Sequence, residues 1–305
     1  MQTDLGGEVV PHTLTASYLY AARYGYSGTV LHNDNHIKLF PREGEGQNPI
    51  QTELWTIPEG VGVEYSDRFG NRVHRVRIIE RHESLVIATA GHVSLTTEAP
   101  TPEDARIDEA GNQPGAMEYL LRSPLVDPDT VSALAFRVAS GSDSMMRVIG
   151  DVIDWVYTEI EYKRGTTDVA TTADQVVKVM EGVCQDKTHL ALGMLRALDI
   201  PCRYVSGLLT GQTGETHSWV EFMHPMRGWV GADPTRGIIA PPARDYVKLS
   251  VGRDYTDVSP VRGSFLSKGG TTEHSAIASV RFERIEANID EALRMLEEAY
   301  VVSTV

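Results

Sequence analysis

Cys184, His217 and Asp233 are the residues of this 305-residue chain whose types and settings could do covalent chemistry together. Cys184 follows Gly182-Val183 at the expected start of a helix, where unpaired backbone N–H groups and the helix dipole favour negative charge. A thiolate is favoured at such a position, and the thiolate is the nucleophile. Position alone does not decide the matter, because cysteine is among the most buried residue types and a lone one commonly just fills core space. The stronger signal is a pair of strand-like runs, Thr216-His217-Ser218-Trp219-Val220-Glu221-Phe222-Met223 and Gly228-Trp229-Val230-Gly231-Ala232-Asp233-Pro234, joined by His224-Pro225-Met226-Arg227. They read as a hairpin. With Pro225 at the centre of a five-residue loop, Phe222 pairs with Gly228, Glu221 with Trp229, Trp219 with Gly231 (whose small size leaves room for the indole) and His217 with Asp233. Directly opposed side chains have Cβ atoms ~4.5–5.5 Å apart, within reach of an imidazole–carboxylate hydrogen bond. A surface hairpin carrying an incidental His and Asp is the alternative.

A thiolate, a proton shuttle and a group that holds the shuttle in one tautomer are what acyl transfer from an amide requires. The tetrahedral oxyanion would take one hydrogen bond from the Cys184 backbone N–H. Gln175 and Tyr162 are both conceivable second donors, and both are equally ordinary as surface or packing residues.

These residues need elements to hold them. Asp127-Pro128 has the form of an N-cap with proline at the first helical position, followed by Val131, Leu134, Ala135 and Val138 at helical spacing. A second helix over 143–160 places Met145, Ile149, Val152, Ile153, Val156 and Ile160 on one face. A third is capped by Thr172 and stopped by Gly182, and a buried fourth runs over 184–198. Strands at 202–209, 216–223 and 228–232 follow, so an α+β domain with helices packed on an antiparallel sheet is expected. The first hundred residues instead alternate in short runs, with strands expected at 15–20, 52–57, 72–80 and 84–89 and turn chemistry at Asp67-Arg68-Phe69-Gly70-Asn71, the pattern of a smaller β-sandwich. The Pro-rich acidic stretch 98–104 divides a domain 1–100 from a domain 101–305.

Composition narrows the partners. A formal charge of -14 argues against nucleic acid or an anionic membrane surface as the main partner. The opening residues lack a leader pattern and no apolar run is long enough to span a bilayer, which points to the cytoplasm. Two cysteines make neither a disulfide framework nor a sulfur-rich zinc site, and the ten histidines lack ligand spacing, so no metal or cofactor is expected. His189 lies roughly 500° round the helix from Cys184 and reads as structural, Cys202 as a small buried thiol. Asp186, Glu215, Glu221, Asp254 and Asp257 are given no catalytic role, as solvated or Arg-paired carboxylates.

Gly182-Val183-Cys184-Gln185-Asp186 resembles the nucleophile motif of the bacterial transglutaminase-like superfamily. Leu198-Asp199-Ile200-Pro201-Cys202-Arg203-Tyr204-Val205-Ser206-Gly207 resembles its following helix-to-strand segment. His217-Ser218-Trp219-Val220-Glu221 resembles its histidine motif, Gly228-Trp229-Val230-Gly231-Ala232-Asp233-Pro234-Thr235 its aspartate motif, and residues 251–260 a downstream signature of the bacterial branch. The turn 67–71 and His82-Glu83-Ser84-Leu85 are similar to the β-rich domain that precedes this core. The resemblance implies a papain-like fold with Cys184, His217 and Asp233 as catalytic triad, and no cofactor. It further implies a cysteine-dependent amide hydrolase or cysteine protease that acts on a peptide or protein through a thioester on Cys184. The alternatives are a protein-glutamine gamma-glutamyltransferase, or a non-catalytic protein-binding module. Lys187-Thr188 departs from the pattern, where an aromatic and a small residue are usual, and Lys187 reads as a solvated lysine. The tail 287–300, with Ile289, Leu293, Leu296 and Tyr300, reads as an added amphipathic helix.

Overall fold

The computed structural model describes residues 12–99, 101–111, 113–267, 272–282 and 288–303. Four helices form where apolar spacing and caps call for them. Asp127 accepts the Asp129 amide and Pro128 opens helix Pro128–Ala139; Ser144 caps Met145–Glu159. At Ala173–Val179, Gln175 Oε1 accepts the Thr172 amide at 2.9 Å, and Met180, with φ 57°, ends the helix in a left-handed turn. Helix Cys184–Ala197 is buried nearly all round, as a central helix must be, with Leu190, Ala191, Leu192, Met194 and Leu195 fully enclosed between the other three helices and the sheet strands.

These helices cover one face of a five-stranded antiparallel sheet in the order Ile238–Ile239, Gly228–Asp233, His217–His224, Cys202–Leu209, Tyr246–Gly252. Alternation along His217–His224 sends Val220 and Phe222 into the helical core and Trp219 to the opposite face, against Val205, Tyr246 and Val251. The central architecture is thus the α+β arrangement expected, helices packed on an antiparallel sheet.

The hairpin register differs from expectation by two residues. His224 pairs with Gly228, Met223 with Trp229 and Phe222 with Val230, so the turn holds three residues, not five. Two local features close it: Gly228 takes φ 68°, open to glycine at no steric cost, and His224 Nδ1 accepts the amides of Met226 and Arg227 at 3.2 Å. A two-residue slip preserves each side chain's face, so His217 and Asp233 become diagonal neighbours on the same side.

The amino-terminal region is built on one 25-residue strand, Thr13–Ile37. Its first half lies between Thr272–Arg281 and His82–Thr96, which also pairs with Gln47–Ile57. Its second half lies between Val261–Ser267 and Arg72–Ile78, which also pairs with Val61–Ser66. Ala16, Tyr18, Tyr20 and Ala22 point into a core shared with Ile37, Ile78, Leu85 and Ile87, whereas Leu19 and Ala21 point outward under helix Ile289–Ser303 through Ala292, Met295 and Leu296. Ile289 and Leu293 pack there as partly buried residues; the Tyr300 side chain lies outside the described residues. The division after residue 100 marks where strands give way to helices, while the amino-terminal sheet also takes two strands from the carboxy-terminal end.

Two buried side-chain amides tie the sheets together by imitating strand pairing. Asn71 Nδ2 donates to Val251 O and its Oδ1 accepts Val251 N, both at 2.8 Å; Gln47 makes the same pair of bonds to Lys248, at 2.7 and 2.8 Å. Both amides sit on the strand that carries Tyr246.

Candidate active site

Cys184 is the first residue of the buried helix and is half-buried. The chain enters it through Gly182, where an added Cβ would lie 2.6 Å from Asp186 Cβ, so glycine there allows the Asp186 side chain to fold back. Asp186 Oδ2 then accepts the Val183 amide and the Thr167 hydroxyl, each at 2.7 Å, and fixes the turn that presents the cysteine. Burial raises the Asp186 carboxyl above its usual range against these hydrogen bonds.

Across the cleft, His217 Nε2 is 2.8 Å from Asp233 Oδ2, and Cys184 lines the same cleft close enough to the ring to raise its pKa. With Nε2 committed to Asp233, Nδ1 is the nitrogen left for the sulfur. The structure therefore brings Cys184, His217 and Asp233 together. Burial would pull the imidazolium down, but the interactions with Asp233 and Cys184 outweigh it and raise His217 from 6.5 to about 9. Because this lies above the unfolded value, the pair's contribution to stability is full below pH 6.5 and is lost as pH rises through about 9. Asp233 is fully buried. Burial alone would raise its carboxyl, but hydrogen bonds hold it below the ordinary value of 3.8, so its contribution is lost on acidification below that.

Asp233 is held by more than histidine. Tyr246 donates its hydroxyl to Oδ2 at 2.8 Å, while Thr235 and Arg236 donate backbone amides to Oδ1 at 2.9 and 3.2 Å. Arg236 Nη1 in turn donates to the Tyr246 oxygen at 2.8 Å. Trp219 stacks on the His217 ring at 6.2 Å and 22°, and its other neighbour is Tyr246 at 4.9 Å. Room for the indole comes chiefly from Gly207, where an added Cβ would sit 2.5 Å from the ring; Gly231, expected to make that room, keeps ordinary contact at 3.8 Å. Tyr246 and Arg236 were not singled out in the sequence, and no local motif marks them.

The remaining expected residues divide. Tyr162 lines the cleft of about 180 Å³ that holds Cys184 and His217, whereas Gln175 is the helix cap described above. Lys187 is buried, not solvated: its amine donates to Tyr157 O at 3.1 Å, and burial lowers its pKa against the pull of Asp233. The reason is the helix itself, which is enclosed on that side too. His189 accepts the Tyr255 amide at 3.2 Å and is driven by burial to about 4, so it stays neutral. Cys202 donates to Leu192 O, and burial raises it to about 11. Asp254, expected to be solvated or paired with arginine, is fully buried and accepts the amides of Thr256 nearby and of Leu125 from a distant segment, while Asp257 pairs with Arg253, Glu215 with Arg164, and Glu221 with Arg203. Among the described residues, no group of three or more His, Cys, Asp or Glu side chains is arranged to hold a metal ion, and no helix is long and apolar enough to cross a membrane.

Residues 132–234 match the transglutaminase-like superfamily core and residues 18–94 the bacterial transglutaminase-like N-terminal region. An uncharacterised protein of Mycobacterium leprae is 30% identical over 268 residues, 83% of this chain and 94% of that protein; an uncharacterised protein of Mycobacterium tuberculosis is 26% identical over 269 residues, 80% and 85%. The crystal structure of a "Putative Cysteine Protease" from Cytophaga hutchinsonii superposes with a TM-score of 0.70 at 20% identity, covering 87% of this chain and 91% of that one. The chain belongs to the transglutaminase-like superfamily, with the bacterial N-terminal region preceding its core.

Proposed function

We propose that the protein is a thiol-dependent amide hydrolase that acts on a peptide or protein through a thioester on Cys184. The observation that carries this reading is the approach of Cys184 to the His217 ring, itself held by buried Asp233. In the proposed cycle the Cys184 proton passes to His217 and the sulfur attacks the amide carbonyl, forming a C–S bond and an oxyanion. The oxyanion takes hydrogen bonds from the Cys184 amide and from the Tyr162 hydroxyl. Tyr162 and Arg164 line the cleft beside Cys184, and burial keeps the phenol protonated by raising its pKa. When the C–N bond breaks, His217 returns its proton to the departing amine. Water, deprotonated by His217, then cleaves the thioester to the free acid. Asp233, braced by Tyr246, holds the ring in the tautomer both steps need.

Amine transfer would share the thioester, so partitioning decides between the two. With a labelled primary amine and a glutamine-rich acceptor protein, hydrolysis predicts that most turnovers release free acid, by roughly tenfold over incorporated label as an order of magnitude. Incorporation exceeding acid release would establish a transferase instead. The description of the Cytophaga hutchinsonii protein agrees with the hydrolytic reading.

A further inference from the structure

The groove around Cys184 is narrow, and its mouth carries two charges of opposite sign. Arg164 and Glu215 line the same cleft as Cys184 and His217, and apart from His217 they are the cationic and anionic side chains among the described residues lining it. They come from different segments at the two sides of the reacting pair. Arg164 follows Tyr162, which pairs with Gly182 on the cysteine side; Glu215 lies two residues before His217, on the histidine side. Both side chains are 70% exposed, and the guanidinium and carboxylate meet at 3.6 Å. An exposed pair at this distance is weak and separates at little cost, so substrate charges can replace it.

The chemistry proposed above gives each side its own part of the substrate. The acyl carbon becomes bonded to sulfur and so lies on the cysteine side, beside Arg164. The leaving amine takes its proton from the imidazole and so lies on the histidine side, beside Glu215. We infer that the site selects amides whose acyl residue bears a carboxylate and whose amine residue bears a positive charge, with Arg164 reading the first and Glu215 the second. This inference rests on the thiol amidase reading. Arg164 suits its part because a guanidinium binds a carboxylate through two parallel N–H donors. The rest of the lining includes small residues at Gly214, Ala278 and Ser279 and apolar ones at Leu208, Leu209 and Val280, which leaves Arg164 and Glu215 as the groups that can read charge beside the histidine.

The test is a four-member set of fluorogenic peptides, acidic or neutral on the acyl side and basic or neutral on the amine side, compared by kcat/KM. The wild type is expected to favour the acidic–basic peptide at least tenfold over either singly neutral one. Arg164→Glu should abolish or invert the acyl-side preference while leaving the amine-side ratio, and Glu215→Lys should do the converse. Ratios taken within each variant cancel any general loss of activity, including a loss through Tyr162. Ratios that stay within twofold of wild type in both variants, with all four peptides forming an acyl-enzyme on Cys184, would overturn the charge selection and leave the amidase standing. Failure of every peptide to acylate Cys184 would instead remove the amidase reading, and the selection with it.

Discussion

Cys184→Ala is expected to lower turnover of a peptide amide by on the order of 10⁴-fold while the protein keeps its fold. The size follows from the chemistry, since no other thiol faces the imidazole: Cys202 lies in the core and donates to Leu192 O. The residual rate would come from substrate binding and the oxyanion donors alone. Folding is expected to survive because Cys184 is half-buried, opens its helix, and belongs to none of the apolar clusters that hold the helix in place. The measurement is kcat on a substrate the wild type cleaves, with thermal unfolding of the variant as control. A variant that is folded and retains more than a tenth of wild-type kcat would contradict the nucleophile assignment.

The second large effect concerns stability. Glu221 lies on the same face of its strand as His217 and Trp219, turned toward the amino-terminal region, and meets buried Arg203 at 2.6 Å and buried Lys248 through its other oxygen. Glu45 of the amino-terminal region completes the cluster by accepting from both cations, Arg203 at 2.7 Å, and their attraction lowers its carboxyl to about 2 against the pull of burial. Arg203 also stacks on Trp229 at 4.2 Å. Glu221→Ala leaves two buried cations sharing one half-exposed carboxylate, and the expected loss is about 3–5 kcal/mol. Glu45→Ala should cost less, since solvent already reaches that carboxylate. Urea unfolding of both variants checks the order. A loss below about 1 kcal/mol for Glu221→Ala would show that the cluster relaxes into solvent and does not bind the two sheets.

The placement of Cys184, His217 and Asp233 around one cleft was legible because each position is set by a local rule. A cysteine opens a helix after a glycine, and a histidine and an aspartate occupy facing strands whose side-chain period is two. That period also explains why a wrong register still brought the right residues to one face: the slip was an even number. The turn length was not legible because it depends on the His224 imidazole folding back on the loop amides. Tyr246 was hidden for a different reason. Its strand lies two positions across the sheet from His217–His224, and nothing in the sequence announces that Gly207 lies between them without a side chain. Lys187 misled because a lysine is ordinarily solvated, and only the enclosure of the whole helix buries it. The amino-terminal strands were visible as alternation, but the long strand's pairing with residues 261–267 and 272–281 is a contact across most of the chain, which local pattern does not encode.

Sulfur, imidazole and carboxylate acting as one unit can be tested by following the His217 ring through an NMR pH titration in the wild type, Cys184→Ala and Asp233→Asn. The ring should titrate near 9 in the wild type, and each substitution, by removing one of the two groups that raise it, should bring the midpoint back toward the ordinary histidine value. A wild-type midpoint near 6.5 that neither substitution moves would mean that the three side chains are neighbours without being coupled.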